Sequence, residues 1–218
     1  MSPVIFLIYF EKSGEKSDKN NMQQQHQNLP VHLFKDSEEW AGWLEKNGAI
    51  QPGIWLRLAR KKSSLKSISY DEAVSVALCY GWIDGLLNKY DDQSWLQRFT
   101  PRKPKSAWSK INKKKALALI ASGEMKPAGL AAVGLAQQNG TWDSAYDSQR
   151  SIEVPDDFRK ALEKNPKASD FFETLDKINR YALLYRIQTA RQPELRAGRI
   201  RQFIEMLNQH QKLYPQKS

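Results

Sequence analysis

Residue types that could do chemistry gather in three stretches of the sequence. They are CYGWIDG (79–85), RFTPRK (98–103) and SAWSKIN (106–112). They combine glycines, tryptophans, an acid and several bases near predicted strand ends, where binding groups commonly lie. We therefore predict a small-ligand site made of Trp82, Asp84, Arg98, Thr100, Arg102, Trp108, Ser109 and Asn112.

Asp84 is the acid of this group, and the sequence leaves two roles open for it. It could be a binding carboxylate or a general acid, which would make the protein an enzyme with a small-ligand site around Trp82, Asp84 and Arg98. It could instead be a turn carboxylate or the ion-pair partner of Arg98 or Arg102. We favour the structural role and assign no catalytic residue.

Nucleophile, metal and nucleotide chemistry find little support in the sequence. Cys79 is the sole cysteine and ends a predicted helix, whereas an activated thiol needs a nearby base or a helix N-terminus. His26, His32 and His210 neighbour no plausible nucleophile, and no phosphate-binding glycine motif occurs. We expect a buried, inert thiol, no metal and no cofactor. A single cysteine also fits a reducing, cytoplasmic location.

The net charge of +10 is concentrated in two basic segments. Residues 101–126 hold eight basic residues and one acidic residue, and residues 176–218 hold nine and three. Such segments suggest an anionic partner, which could be nucleic acid, acidic lipid headgroups or an acidic protein surface. The alternative is solvated helix faces that keep the protein in solution. The residues predicted to meet an anionic partner are Lys110, Lys113, Lys114, Lys115, Arg180, Arg191, Arg196 and Arg199.

A nucleic-acid-binding protein is an alternative function, based on residues 102–115 and 180–201. Between Trp95 and Lys115 aromatic residues alternate with bases, and such a mixture can stack on bases and neutralise phosphates. The competing interpretation places Trp95, Phe99 and Trp108 in the core, which we favour.

The elements that must position these residues indicate an α+β fold. Alternating residues over 53–60 predict a strand, and residues 82–100 predict a strand, a turn and a second strand, which together make a small, mostly antiparallel three-stranded sheet. The sequence SYDE (69–72) is a capping box that begins a helix. Further helices are predicted after Asp36 or Ser37, over 106–121 with Ser106 as cap, and over 127–139.

After Pro155 the pattern becomes all helical, with predicted helices over 156–164, 167–175, 177–190 and 194–209. We predict an α+β domain over 29–146 and a helical C-terminal region over 147–218, which could pack as one unit. Residues 1–28 are expected to be a disordered extension, and Met22 is suspected to be the natural start. The apolar run Val4 to Phe10 is too short to span a membrane and lacks the features of a secretory signal.

Several long runs resemble the YdeI/OmpD-associated family, also called bacteriocin-protection proteins. The runs are YDEAVSVALCYGWIDG, RFTPRKPKSAWSKIN, SGEMKPAGLAAV, VPDDFRKALEKNPKASDFFETL and RYALLYRIQTARQPELRAGRIRQFI, and the resemblance extends over residues 31–210. It implies a link to envelope stress, cationic antimicrobial peptides and an outer-membrane porin, and it supplies no catalytic residue. A porin partner would require export, for which the chain shows no signal. We therefore expect a non-enzymatic stress-protection protein that binds an anionic or peptide partner.

Overall fold

The computed structural model describes residues 25–215 and has an α+β architecture. The predictions for residues 1–24, including the start at Met22, lie outside the described residues. The strands are β1 (Gln25–His26), β2 (Leu29–His32), β3 (Ile54–Ala59), β4 (Trp82–Lys89) and β5 (Ser94–Pro101). The helices are α1 (Ser37–Asn47), α2 (Tyr70–Cys79), α3 (Lys110–Ala121), α4 (Pro127–Gln138), α5 (Asp156–Glu163), α6 (Pro166–Glu173), α7 (Lys177–Gln188) and α8 (Pro193–Asn208).

The sheet is mixed and has the strand order β1-β2-β3-β5-β4. The α+β class is confirmed, but the prediction of three mostly antiparallel strands is wrong. Strand β2 joins the sheet parallel to β3 through the pairs Val31↔Trp55 and His32↔Leu56, and β1 adds a short antiparallel hairpin. Two paired residues are too short for an alternating pattern, so the sequence predicted only the helix that follows β2.

Local sequence patterns correctly predicted the strands β3 to β5 and the start of α2, which position the candidate site. Strand β3 and the β4–β5 hairpin lie where the alternation placed them. The capping box at α2 is present, with Ser69 and Glu72 bonded in both directions. The cap predicted for α3 is wrong: Ser109 accepts from the Asn112 amide over 3.0 Å, while Ser106 accepts from the Lys103 amide over 3.1 Å. Ser106 therefore closes the turn that precedes α3.

Two hydrophobic cores hold the fold. The first lies between the sheet and α1 to α4, and its aromatic centre contains Trp40, Trp82 and Phe99, each at most 1% exposed. The indole of Trp82 donates to the Gly48 carbonyl over 3.1 Å, so its polar atom is satisfied. The second core is formed by α5 to α8 and includes the edge-to-face pair Phe158 and Phe172.

Residues 146 and 147 join the two cores. The Tyr146 amide donates to the Trp108 carbonyl over 2.9 Å, and the Lys110 amide donates to the Tyr146 carbonyl over 2.8 Å. The carboxylate of Asp147 accepts from Lys110 over 2.8 Å and from the Gln188 amide over 2.7 Å. The start of α3 and the end of α7 are thus held by neighbouring residues, which fixes the second core against the first. Within residues 25–215, no helix has the length and apolar character needed to cross a membrane.

Candidate functional site

A surface pocket of about 380 Å³ opens between α2, β4, the start of α3, residues 146–149 and α7. This volume lies within the range that small-molecule sites occupy, roughly 300–1,000 Å³. The residues that line it are Tyr70, Asp71, Val74, Asp84, Ser109, Ile111, Asn112, Lys115, Tyr146, Ser148, Gln149 and Tyr181. We call it the Asp84 pocket. Three of the residues predicted for the ligand site, Asp84, Ser109 and Asn112, line it together.

Asp84 reaches the pocket because of its register in the sheet. It pairs directly with Phe99, and cross-strand partners point to the same face, so Asp84 lies on the helix-covered face. The register shifts immediately after it, between Asp84 and Leu87. Such a bulge bends an edge strand and redirects its side chains, so the carboxylate lies where the pairing of β4 with β5 is interrupted before it resumes at Leu87.

The hydroxyl of Tyr70 donates to Oδ2 of Asp84 over 2.7 Å. Tyr70 is the first residue of α2, so the Ser69 capping box that begins the helix also places this hydroxyl. Burial, and then the hydrogen bond to Asp84, raise the pKa of Tyr70 well above its ordinary value near 10. Tyr70 therefore remains a protonated donor, and Asp84 acts as an acceptor in this contact.

Two further tyrosines form the side of the pocket that faces the second core. Tyr146 packs edge to face on Tyr185, with ring centroids 4.8 Å apart, and Tyr181 lies 5.8 Å from Tyr185. Burial is the main cause that raises the pKa of Tyr146 to about 12. Near neutral pH these walls are uncharged phenol rings.

The charges that line the pocket are few. Lys115 forms an ion pair with Asp71 over 2.8 Å and donates to the Ser75 hydroxyl over 3.3 Å. Asp84 is the remaining charged residue of the lining. Within residues 25–215 no ion pair within 4.0 Å joins Asp84 to Arg98 or Arg102. The ion pair with Arg98 or Arg102 that the sequence left open for Asp84 is therefore not formed among these residues, and the carboxylate accepts a hydrogen bond from Tyr70 instead.

Arg102 lies behind the pocket and is not part of its lining. Its guanidinium stacks on the Trp108 ring, 3.7 Å from the centroid, and donates to the Ala107 carbonyl over 3.1 Å. Its Nε and Nη2 atoms are buried and donate to no partner among the described residues. Burial lowers the pKa of Arg102 to about 10, while Tyr146 and Asp84 oppose that change. Arg102 therefore remains a cation near neutral pH.

Other residues of the predicted site lie elsewhere. Arg98 and Thr100 pair with Trp55 and Ile83, so they alternate with Phe99 and face the opposite side of the sheet from Asp84. Gly85 lies beside the Arg98 side chain, where an added Cβ would stand 3.4 Å from Nε. Trp82 and Trp108 are buried core residues with 1% and 2% exposure.

Two family models match parts of the chain. Residues 32–132 match a domain of unknown function (DUF8412). Residues 151–210 match the family described as Bacteriocin-protection, YdeI or OmpD-Associated. The C-terminal helices match the YdeI/OmpD-associated family. Comparison with curated proteins and with solved structures finds no match for the chain.

The YdeI/OmpD-associated match is narrower than the resemblance had implied. The match covers the second core. The segment that matches the domain of unknown function contains two of the runs that carried the resemblance, YDEAVSVALCYGWIDG and RFTPRKPKSAWSKIN. Tyr181 of the pocket belongs to the YdeI/OmpD-associated region, and Tyr70 and Asp84 belong to the other segment. The Asp84 pocket is therefore built where the two matched regions meet.

The basic residues of α3 are largely engaged with acidic neighbours. Lys110 pairs with Asp147 over 2.8 Å, and Lys113 lies 3.8 Å from Asp143. Lys113 also donates to the Trp142 carbonyl over 3.0 Å, and Lys115 pairs with Asp71. Lys114 is exposed and has no ion pair within residues 25–215.

The arginines of the YdeI/OmpD-associated region are engaged in a similar way. Arg196 binds both oxygens of Asp157 over 2.6 and 2.9 Å and donates to the Ile187 carbonyl over 2.8 Å. Arg180 pairs with Glu173 over 2.6 Å. Arg199 donates to the Arg186 carbonyl, and Arg191 donates to the Asn139 carbonyl over 3.5 Å. These contacts hold helices and loops together, which leaves fewer arginines for a partner.

The aromatic residues between the basic ones lie in or against the core. Phe99 and Trp108 are buried, and Trp95 is partly buried and packs against the first core. Buried rings cannot stack on nucleic-acid bases without unfolding. The interpretation that favours core residues at these positions agrees with the structure.

Cys79 is buried, and burial raises the pKa of its thiol. A raised pKa disfavours the thiolate, which is the reactive form. Within residues 25–215, no three His, Cys, Asp or Glu side chains stand close enough to hold a metal ion.

The tyrosines of the pocket were missed by the sequence reasoning. Tyr70 stands directly after the capping serine, and that position was a usable signal because a capping box fixes the first helical residue. Tyr146 and Tyr181 come from segments distant in sequence. Backbone pairing with residues 108–110 places Tyr146, and the packing of the second core on the first places Tyr181. No local pattern indicates that packing.

Proposed function

We propose that this protein is a non-enzymatic binding protein of the cytoplasm that takes a peptide partner in the Asp84 pocket and acts in stress protection. The observation that carries the proposal is the convergence of Tyr70, Asp84, Tyr146 and Tyr181 on one open pocket. The bacteriocin-protection description of the family matched by residues 151–210 supports a protective role.

A binding role fits the chemistry of the lining better than catalysis does. The Tyr70 hydroxyl is already bonded to Asp84, and the raised pKa values of Tyr70 and Tyr146 keep both phenols protonated. General acid–base catalysis works best with a group whose pKa lies near the working pH. Protonated phenols and an acceptor carboxylate instead suit the recognition of a donor-bearing ligand.

A peptide is favoured over a compact small molecule because the Asp84 pocket continues into further cavities. It shares Gln149 and Tyr181 with a cavity of about 490 Å³, which is also lined by Glu153, Val154 and Arg159. A third cavity of about 480 Å³ shares those last three residues. Adjacent cavities along residues 146–156 offer room for several residues of an extended chain.

A peptide is also favoured over a polyanion. Most of the predicted anion-binding cations, including Lys110, Lys115 and Arg196, already neutralise carboxylates. Desolvating and separating such pairs opposes the binding of phosphates to them.

The test is peptide selection with a blocked pocket. Nonapeptides are selected from a random displayed library with the full chain, and their affinities are measured by fluorescence anisotropy. The blocked variant is Gln149→Trp, which places an indole at the exposed residue shared by two cavities. The matched control is Gln137→Trp, at an exposed position on α4.

We expect Gln149→Trp to weaken the selected peptides by about tenfold or more, which corresponds to roughly 1.4 kcal/mol. The Gln137→Trp control should bind them like the wild type. Equal binding by both variants would contradict a ligand site in the Asp84 pocket.

A further inference from the structure

We infer that the Asp84 pocket selects a cationic side chain of the peptide, a guanidinium or an ammonium group, with Asp84 as its counter-ion. This inference rests on the proposed function and names the chemical group that the pocket recognises.

The charges that line the pocket leave one carboxylate without an ion-pair partner there. Three charged residues line it, namely Asp71, Asp84 and Lys115. Lys115 and Asp71 neutralise each other at 2.8 Å. Asp84 therefore has no ion-pair partner in the lining, and a bound ligand meets its negative charge.

The carboxylate of Asp84 retains acceptor capacity for a ligand. Tyr70 occupies Oδ2, while Oδ1 accepts no hydrogen bond from the described residues. An ionised carboxylate has about four acceptor sites on its two oxygens. A guanidinium or an ammonium supplies several donors and forms stronger, charge-assisted bonds to such a carboxylate.

Arg102 is a cation outside the lining that interacts electrostatically with Asp84. Its guanidinium is held on the Trp108 ring and by the Ala107 carbonyl, and its Nε and Nη2 atoms are inaccessible to solvent. Arg102 therefore cannot swing to Asp84 without leaving the tryptophan. It does not occupy the site of a ligand cation.

The aromatic lining of the pocket also favours a cation. Tyr70, Tyr146 and Tyr181 surround the carboxylate in one pocket. Aromatic rings attract cations through the negative charge of their faces, and the effect is larger where water is excluded. A carboxylate among tyrosines discriminates a cation from a neutral group of the same shape better than either feature alone.

The experiment compares arginine with citrulline, which has nearly the same shape and no charge. Nonapeptides selected with the wild-type chain are synthesised in pairs, with either residue at the position that the selection shares. Anisotropy is measured for the wild type, Asp84→Asn and the control Asp92→Asn, which removes a carboxylate at an exposed turn position. Asparagine retains an oxygen that can accept from Tyr70, so the fold is preserved.

We expect the selected peptides to share an arginine or a lysine, and citrulline to weaken wild-type binding by about tenfold or more. The same preference should persist in Asp92→Asn and shrink below about twofold in Asp84→Asn.

Two other outcomes have separate meanings. Selected peptides that bind the wild type equally well with citrulline would overturn the cation inference and leave the proposed function standing. If the wild type enriches no peptide relative to Gln149→Trp, both the proposed function and this inference fail.

Discussion

The hydroxyl of Tyr70 and the carboxylate of Asp84 lie 2.7 Å apart and join the first residue of α2 to the last paired residue of β4 before its register shift. The contact places a helix start and a strand bulge side by side. It also engages one oxygen of the carboxylate, while no hydrogen bond from the described residues is recorded for the other.

Removing the Tyr70 hydroxyl should lower both the stability of the fold and the affinity for the peptide. A net hydrogen bond stabilises a protein by about 1 kcal/mol, and Tyr70 is 42% exposed, so Tyr70→Phe should lower the free energy of unfolding by no more than that. Peptide affinity should fall severalfold because Asp84 loses its positioning partner. Urea denaturation and anisotropy measure the two effects, and Tyr214→Phe, with 43% exposure, is the matched control. A peptide affinity unchanged in Tyr70→Phe would show that the hydroxyl does not position Asp84.

Tyr146 should make the fold sensitive to alkaline pH. Its pKa is raised to about 12 by burial, and then by Tyr185, Tyr181 and Asp84, with Arg102 acting in the opposite direction. Above about pH 10 the unfolded state loses a proton that the folded state retains, so stability falls as pH rises toward 12.

The measurement is the urea midpoint followed by tryptophan fluorescence between pH 9 and 12. Tyr146→Phe should lose stability less steeply with pH than the wild type, and Tyr214→Phe should follow the wild type. Parallel curves for all three proteins would mean that Tyr146 titrates alike in both states.

The ion pair between Arg196 and Asp157 should contribute to acid sensitivity. The side-chain hydrogen bond from Arg196 is the largest cause that lowers the pKa of Asp157. The stabilisation is present above about pH 4, the unfolded pKa of a carboxyl, and is lost as pH falls through the folded value. Because Asp157 is 45% exposed, solvent screening limits the contribution to about 1 kcal/mol or less.

Asp157→Asn should therefore destabilise the protein at pH 7 and flatten its stability curve below pH 4. The matched control is Asp170→Asn, an exposed position on the neighbouring helix α6. Denaturation curves at several pH values test this, and a wild-type slope in Asp157→Asn would refute the assignment.

Nucleic acid should bind weakly despite the net charge of +10. The rings that could stack on bases are buried or packed against the core, and Lys113 and Lys115 are paired with aspartates. We expect labelled single- and double-stranded DNA to show only salt-sensitive association that is lost near physiological salt. The triple variant Lys113/Lys114/Lys115→Ala should change it little. Tight binding that the triple variant abolishes would restore the nucleic-acid alternative.

The sequence predicted the locally encoded parts of the fold. The alternation in β3 and the serine and glutamate of the α2 capping box each depend on residues a few positions apart. Strand β2 was missed because its pairing with β3 spans only two residue pairs. The two strands are also separated in the sequence by α1. Short parallel pairing of this kind leaves almost no periodic signal.

The candidate site was predictable only in part, for a related reason. Asp84, Ser109 and Asn112 stood out by type and position, and they do share a pocket. Arg98 seemed a natural partner of Asp84, but the pleat of β5 turns it to the other face. Tyr146 reaches the site through its backbone pairing with residues 108–110, and Tyr181 reaches it through the packing of α7 against the first core. No local pattern encodes either contact.

The most direct test of the central claim is hydrogen–deuterium exchange of the full chain with and without a selected nonapeptide. We expect slower exchange in residues 70–75, 82–86, 109–115 and 146–149, because these segments border the Asp84 pocket. The Gln149→Trp variant should show no such protection at the same peptide concentration. Protection confined to other surfaces, or protection that persists unchanged in Gln149→Trp, would contradict a peptide site at Asp84.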